Sequence, residues 1–180
     1  DGDMYVSSLS FDGLKLYMVK RSTFDADIFV SDYSMGRWMP SKPVGKPVNS
    51  KYFESHASIS PDGKSLYFTS NRKESIGEMD IFVSRLNEKG IWSERVNLGE
   101  IINTKLNEET PFLGVDGKTL YFSSQGHESI GGFDIFKTVM QADGTWSKPE
   151  GLPYPINTTD YEVFFFPMEK ENSVYITLYE

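Results

Sequence analysis

The sequence has no cysteine, only two histidines, and a deficit of positive charge, with 18 basic residues against 26 acidic ones. Without cysteine there are no disulfides, thiolate nucleophiles, or Cys-ligated zinc or iron–sulfur sites. The compartment stays open, because a cysteine-free chain suits an oxidising or a reducing space equally. A net charge of -8 argues against binding a phosphate backbone, which needs clustered Lys and Arg. Long hydrophobic runs are missing too, so the sequence predicts no membrane-spanning helix. No stretch keeps a 3.6-residue apolar period, so essentially no helix is expected. The first residues lack the basic-then-apolar pattern of a leader, which implies that any targeting peptide has been removed or was never included. The chain is nonetheless rich in 13 Phe, 10 Tyr and 3 Trp; 14% aromatics is too many for disorder.

Self-comparison finds an internal repeat. Trp38, Trp92 and Trp146 lie 54 residues apart, as do Asn49, Asn103 and Asn157, and also Glu54, Glu108 and Glu162. Asp27, Asp80 and Asp134 each precede Ile-Phe at intervals of 53 and 54, and Asp12-Gly13, Asp62-Gly63 and Asp116-Gly117 follow at 50 and 54. The first copy is four residues short, three of them between Tyr17 and Asp27, where residues 21–26 replace the longer stretch 71–79.

Each copy reads as short strands separated by turn residues. In the second copy a strand over 55–60 meets Pro61-Asp62-Gly63, in which Pro presets φ, Asp bonds back to backbone and Gly accepts a positive φ. Strands over 66–70, 81–84 and 92–98 follow; the third copy repeats them at 111–115, 120–124, 135–139 and from 146 onward. Four antiparallel strands in about 54 residues predict an all-β fold, a β-propeller of four-stranded blades. The alternative β-sandwich is disfavoured by the repetition of whole four-strand units. The predicted division is one propeller segment over 1–180: blade one over 4–53, blade two over 54–107, blade three over 108–161, and a partial blade four over 162–180 with a degenerate turn at Glu169-Lys170-Glu171-Asn172. Three and a half blades leave open sheet edges, so the chain is expected to belong to a longer polypeptide or to close a ring with a second copy.

The run Ser60-Pro61-Asp62-Gly63-Lys64-Ser65-Leu66-Tyr67-Phe68-Thr69-Ser70-Asn71-Arg72 resembles the TolB-type propeller repeat, and Phe11 to Tyr17 and Val115 to Ser124 carry variants of it. Gly131-Gly132-Phe133-Asp134-Ile135-Phe136, with Trp-Ser-Lys-Pro at 146–149 and Pro-Ile-Asn-Thr at 155–158, is similar to the propeller domains of cell-envelope proteins in Bacteroidota-like bacteria. The resemblance covers nearly the whole chain. It implies a periplasmic, outer-membrane-associated or cell-surface location and protein partners in the envelope. In that group tetratricopeptide or OmpA-like domains often accompany the propeller, and neither segment is present here.

Asp27, Asp80 and Asp134 are expected to accept hydrogen bonds inside each blade; a calcium site shared with loop carbonyls is the competing reading, although no Asp-x-Asp-x-Asp-Gly loop occurs. Glu54, Glu108 and Glu162 open the innermost strands. There they would either line the channel mouth as a ring of acids or fix the Asn-to-Glu turn by hydrogen bonds. With His56, Thr110 and Phe164, two residues on and different in each copy, they form the candidate binding set, and Tyr52, Phe53 and Tyr161 are candidate aromatic anchors. Trp38, Trp92 and Trp146 are expected between blades rather than stacked on sugar. His127 is expected solvated in a loop. Neither His56 nor His127 stands in a Gly-x-Ser-x-Gly or His-Glu-x-x-His context. The residues therefore predict a non-enzymatic interaction scaffold with no catalytic residue, metal ligand or cofactor. The alternative is a glycan- or metal-binding propeller with hydrolase- or lyase-type activity that uses channel carboxylates.

Overall fold

In the computed structural model the described residues are 3–168 and 173–179; the degenerate turn at 169–172 lies outside them. Every regular element among the described residues is a strand. In chain order these are β1 (Met4–Leu9), β2 (Lys15–Arg21), β3 (Ala26–Ser34), β4 (Arg37–Trp38), β5 (Lys42–Pro43), β6 (Glu54–Ile59), β7 (Ser65–Ser70), β8 (Asp80–Arg85), β9 (Val96–Asn97), β10 (Glu108–Leu113), β11 (Thr119–Ser124), β12 (Asp134–Val139), β13 (Glu150–Gly151), β14 (Tyr161–Met168) and β15 (Ser173–Tyr179). They form antiparallel sheets β1-β2-β3-β4, with β5 also on β3, then β6-β7-β8-β9, β10-β11-β12-β13, and the pair β14-β15. The fold is an all-β propeller, incomplete among the described residues.

The turn between the first two strands of each sheet follows from its residues. Asp62 accepts a hydrogen bond from the Ser60 hydroxyl at 2.5 Å and from the Lys64 amide at 3.0 Å. Gly63 follows at φ 69°, and Gly13 and Gly117 take the same left-handed conformation, which side chains with a Cβ resist.

The outer strand departs from expectation. In place of continuous strands over 92–98 and from 146 onward, Trp92 and Trp146 make single bridges to Leu86 and Met140, and pairing resumes only at β9 and β13. The interruption is made by a serine. Ser93 donates its amide to Arg85 and accepts the Arg85 amide on its hydroxyl at 3.0 Å; Ser147 does the same with Val139. A side-chain oxygen thus replaces a carbonyl in the ladder, and the backbone swings out.

Successive sheets are joined by an asparagine clamp. Asn49 accepts the Ile28 amide at 3.0 Å and donates to the Ile28 carbonyl at 2.9 Å. Asn103 does this to Ile81 and Asn157 to Ile135. The carboxamide imitates a peptide unit: it takes the buried Ile amide and shares the Ile carbonyl with an amide of the outer strand, that of Val44, Leu98 or Leu152.

The core lies between sheets rather than within one. Tyr17 and Ile28 of the first sheet pack on Ala57, Ile59, Leu66, Phe68 and Phe82 of the second, with Trp92 against them. Tyr67, Ile81 and Val83 of the second meet Leu113, Leu120, Phe122 and Phe136 of the third. Phe112–Phe166 and Tyr121–Phe165 ring contacts, at 4.5 and 5.0 Å, join the third to the fourth.

Candidate functional site

The innermost strands carry the candidate site, and their geometry is set by one bulge. In β6 two residues, His56 and Ala57, stand opposite the single residue Phe68; β10 and β14 break register at the same place. His56, Thr110 and Phe164 occupy it at φ 47°, 50° and 55°, a conformation unfavourable for any side chain and most of all for the β-branched Thr110. Hydroxyls hold neighbouring innermost strands together: Ser7 donates to the Ala57 carbonyl at 2.8 Å, and the Thr110 hydroxyl accepts the Phe164 amide at 3.4 Å. The bulge aims these side chains at the axis. His56 meets Phe164 edge to face with ring centroids 5.1 Å apart, although they lie two sheets apart in sequence order.

Glu54, Glu108 and Glu162 do not line the channel mouth. All three are fully buried and belong to the turns. Glu54 accepts the Ser50 amide at 2.7 Å, the hydroxyls of Ser50 and Ser70, and Arg72 Nη2 at 2.9 Å. Glu108 accepts the Thr104 amide at 2.7 Å and the hydroxyls of Thr104 and Ser124, yet burial still pushes its pKa up. Among the described residues Glu162 keeps only the Thr158 hydroxyl, and its second, buried oxygen has no partner among them. The reason is strand parity: with Glu108 turned inward, the next residue, Glu109, faces the opening.

Glu109 was not legible from the repeat, because its counterparts are Ser55 and Val163. It lies in the wall of a cavity of about 670 Å³ with Tyr5, Phe53, His56, Met79 and Phe164. One carboxylate oxygen lies 3.3 Å from His56 Nδ1. Burial pushes the Glu109 pKa up and lowers that of His56 to about 4, so both groups are driven toward their neutral forms. Tyr5 is raised to about 12, first by burial and then by the charge of Glu109.

The remaining residues sort by sheet. Asp80 accepts the amides of Ile76 at 2.6 Å and Gly77 at 3.1 Å, and Asn97 Nδ2 at 2.6 Å; Asp134 accepts those of Ile130 and Gly131. Asp27 has no such loop, since the first copy is shorter there. One of its oxygens is buried without a partner, and burial raises its pKa. Among the described residues no three His, Asp or Glu side chains converge as a metal site. Trp146 packs edge-on to Tyr67 of the preceding sheet, whereas Trp38 is half-exposed on Tyr33. Of the anchors, Phe53 reaches the cavity; Tyr161 lies half-exposed over Gly132, and Tyr52 carries Lys51 Nζ at 5.3 Å from its ring centre.

His127 is half-buried rather than solvated in a loop. Its Nε2 lies 2.9 Å from the Ile102 carbonyl, and its ring packs on Phe122 and Phe136. In the second sheet Arg72 fills this slot, donating to the Val48 carbonyl at 2.6 Å beneath Phe68 and Phe82. The third copy has Gly126 where Arg72 would align, so the next side chain folds in instead.

These sheets, their repeat and the shared bulge define a β-propeller fold. Over 97% of its length the chain matches the crystal structure of TolB from Acinetobacter baumannii, with a TM-score of 0.65 and 18% identity, covering 37% of that chain. A protein described as TolB from Agrobacterium tumefaciens matches over 99%, at 0.61 and 17%, covering 59% of that chain. The NanB sialidase from Streptococcus pneumoniae matches over 97%, at 0.56 and 14%, covering 28% of that chain. The chain thus spans less than two thirds of each of these structures, and the likeness is one of fold. No family model and no curated protein matches the sequence.

Proposed function

We propose that the protein is a non-enzymatic interaction scaffold, the propeller part of a bacterial protein of the periplasm or outer membrane. The setting would be that of the Bacteroidota envelope proteins whose propellers accompany tetratricopeptide or OmpA-like domains. Its partners would be other envelope proteins, and the remainder of a longer chain or a second copy would complete the ring. The observation that carries this reading is the cavity at the channel mouth. Phe53, Met79, Tyr5 and Phe164 offer apolar and adaptable contact area, and Glu109 offers one carboxylate for a basic group of a protein ligand. A photo-crosslinking amino acid at Phe53, in the protein expressed in its source cells, tests it. Crosslinks to envelope proteins that are weakened by Glu109→Gln are expected. Recovery of the protein in the cytosolic fraction, or crosslinks indifferent to the cavity residues, would reject the proposal.

A second reading rests on Glu109 itself, a buried carboxyl with a raised pKa that faces a cavity, as an acid in glycan hydrolysis or lyase chemistry does. Hydrolysis of a glycoside by the purified protein, abolished by Glu109→Gln with the fold intact, would replace the scaffold proposal.

A further inference from the structure

We propose that the cleft between the second and third sheets, at their turn ends, binds a singly charged carboxylate with an apolar body, the carboxylate held by Arg85 and the Tyr67 hydroxyl. The cleft is a cavity of about 390 Å³ walled by residues of both sheets, a size that suits a small-molecule site. Strand register brings its two polar groups together. Arg85 stands opposite Ser65 and Tyr67 opposite Val83, so Tyr67 and Arg85 are diagonal neighbours on the face of the second sheet that meets the third. Tyr67 is only 2% exposed, yet its hydroxyl makes no hydrogen bond among the described residues, and the side chain lies in the cleft wall. Burial raises its pKa, with the Arg85 charge opposing that rise, so the phenol stays protonated as a donor.

The other copies show what this position does when it is satisfied from within. In the first sheet Asp32 stands where Arg85 does, and Lys15 from the facing strand and Lys42 pair with it. In the third the residue is the uncharged Val139, opposite Thr119. Arg85 faces only Ser65 and makes no ion pair among the described residues. An unpaired guanidinium beside an unpartnered phenol, both in the wall of one cavity, is a donor set for a carboxylate. Leu113, Val115 and the adaptable Met140 supply the apolar wall, and Val115, now 50% exposed, would be covered by the ligand.

The rim limits the ligand's charge. Asp62 and Asp116 also line the cleft, each tied into its own turn. Asp62 is held by the Ser60 hydroxyl and the Lys64 amide, and Asp116 by the amides of Lys118 and Thr119 and the Thr119 hydroxyl. Their fixed negative charge works against a phosphate or a dicarboxylate and leaves a single carboxylate as the anion admitted. The cleft lies at the opposite end of β6 and β10 from His56 and Glu109, so it stands or falls apart from the scaffold reading.

Hexanoate, hexanamide and adipate share one chain length and differ only at their ends, which makes them the probes. With the whole chain, methyl resonances of Leu113, Val115 and Met140 should shift saturably with hexanoate and not with hexanamide, and adipate should bind about tenfold more weakly or worse. Arg85→Met should weaken hexanoate binding about tenfold or more, and Tyr67→Phe about threefold or more. Arg85 is exposed and Tyr67→Phe keeps the packed ring, so both variants should unfold in urea as the wild type does, which separates a lost contact from a lost fold. Glycyl-glycyl-leucine distinguishes the sources: binding tighter than hexanoate and lost on C-terminal amidation assigns the cleft to a peptide terminus, and weaker binding assigns it to a free acid. Hexanamide or adipate binding as well as hexanoate, affinity indifferent to both substitutions, shifts confined to the channel mouth, or no saturable shift at millimolar concentrations would overturn the proposal.

Discussion

At the scale of single residues, the repeat shows which side chains are fixed by their neighbours and which are tolerated. The Arg72–Glu54 pair is almost wholly buried, with Arg72 also stacked under two phenylalanines. Arg72→Met should cost about 3–5 kcal/mol in urea unfolding, because it strands the Glu54 carboxylate. The double change Arg72→Met with Glu54→Gln should recover a large part of that loss. Asp80 and Asp27 have opposite prospects although both are followed by Ile-Phe-Val-Ser. Asp80→Asn disrupts the acceptance of three hydrogen bonds and should lower stability by about 2 kcal/mol or more, whereas Asp27→Asn, which neutralises a half-buried carboxylate with one buried oxygen unpartnered among the described residues, should be neutral or stabilising in the same assay. His56 gives a pH dependence with a definite sign. Its folded pKa of about 4 lies below its ordinary value, so as pH falls the unfolded chain takes up the proton first. The stability held by neutral His56 is complete above pH ~6.5 and is lost between there and pH ~4. The raised pKa of Glu109 acts in the opposite sense, favouring the fold at low pH. Comparison with His56→Gln isolates the histidine: the wild-type unfolding free energy should drop relative to the variant by up to about 3 kcal/mol across that window.

At the scale of elements, close approach between one sheet's loop and the next linker is made possible by glycine. A Cβ on Gly77 would stand 2.4 Å from the Thr104 carbonyl oxygen, and one on Gly131 2.4 Å from that of Asp160. Both obstacles are backbone, which cannot rotate away. Gly77→Ala and Gly131→Ala should each cost about 1–3 kcal/mol by thermal or urea unfolding, more than an alanine on an exposed strand face. Strand number, turn position and sheet order were legible because each rests on local chemistry: Pro-Asp-Gly for a turn, Leu-Tyr-Phe-Thr for a strand. The break in the outer strand was not, because it depends on whether the Ser93 hydroxyl or its carbonyl takes the Arg85 amide, and both options read alike as a β-compatible run. His127 escaped for a related reason: position 127 aligns with Lys73, and only the missing side chain at Gly126 brings it into the slot of Arg72.

At the scale of the whole molecule, stability should be graded from the middle outward. Strands β6, β7 and β8 are buried on both faces by their neighbours, while β1 and β15 are covered incompletely. Native-state amide exchange should be slowest in β7, β8 and β11 and fastest in β1 and β15; uniform protection would contradict a stack of sheets held by nearest-neighbour contacts. The candidate site was half legible at this scale. A search for recurring residues found the turn-fixing glutamates and the bulge positions, but the cavity wall is built from residues that do not recur, Glu109 and Tyr5 among them. The asparagine clamp, finally, bears on how the chain assembles. The group that seals each third strand arrives about twenty residues after it, from the linker into the following sheet: Asn103 for Ile81, Asn157 for Ile135. A chain emerging from a ribosome can therefore lock a sheet only when the next has begun. A fragment cut at residue 98 would hold all four strands of its second sheet and still lack the group that closes it.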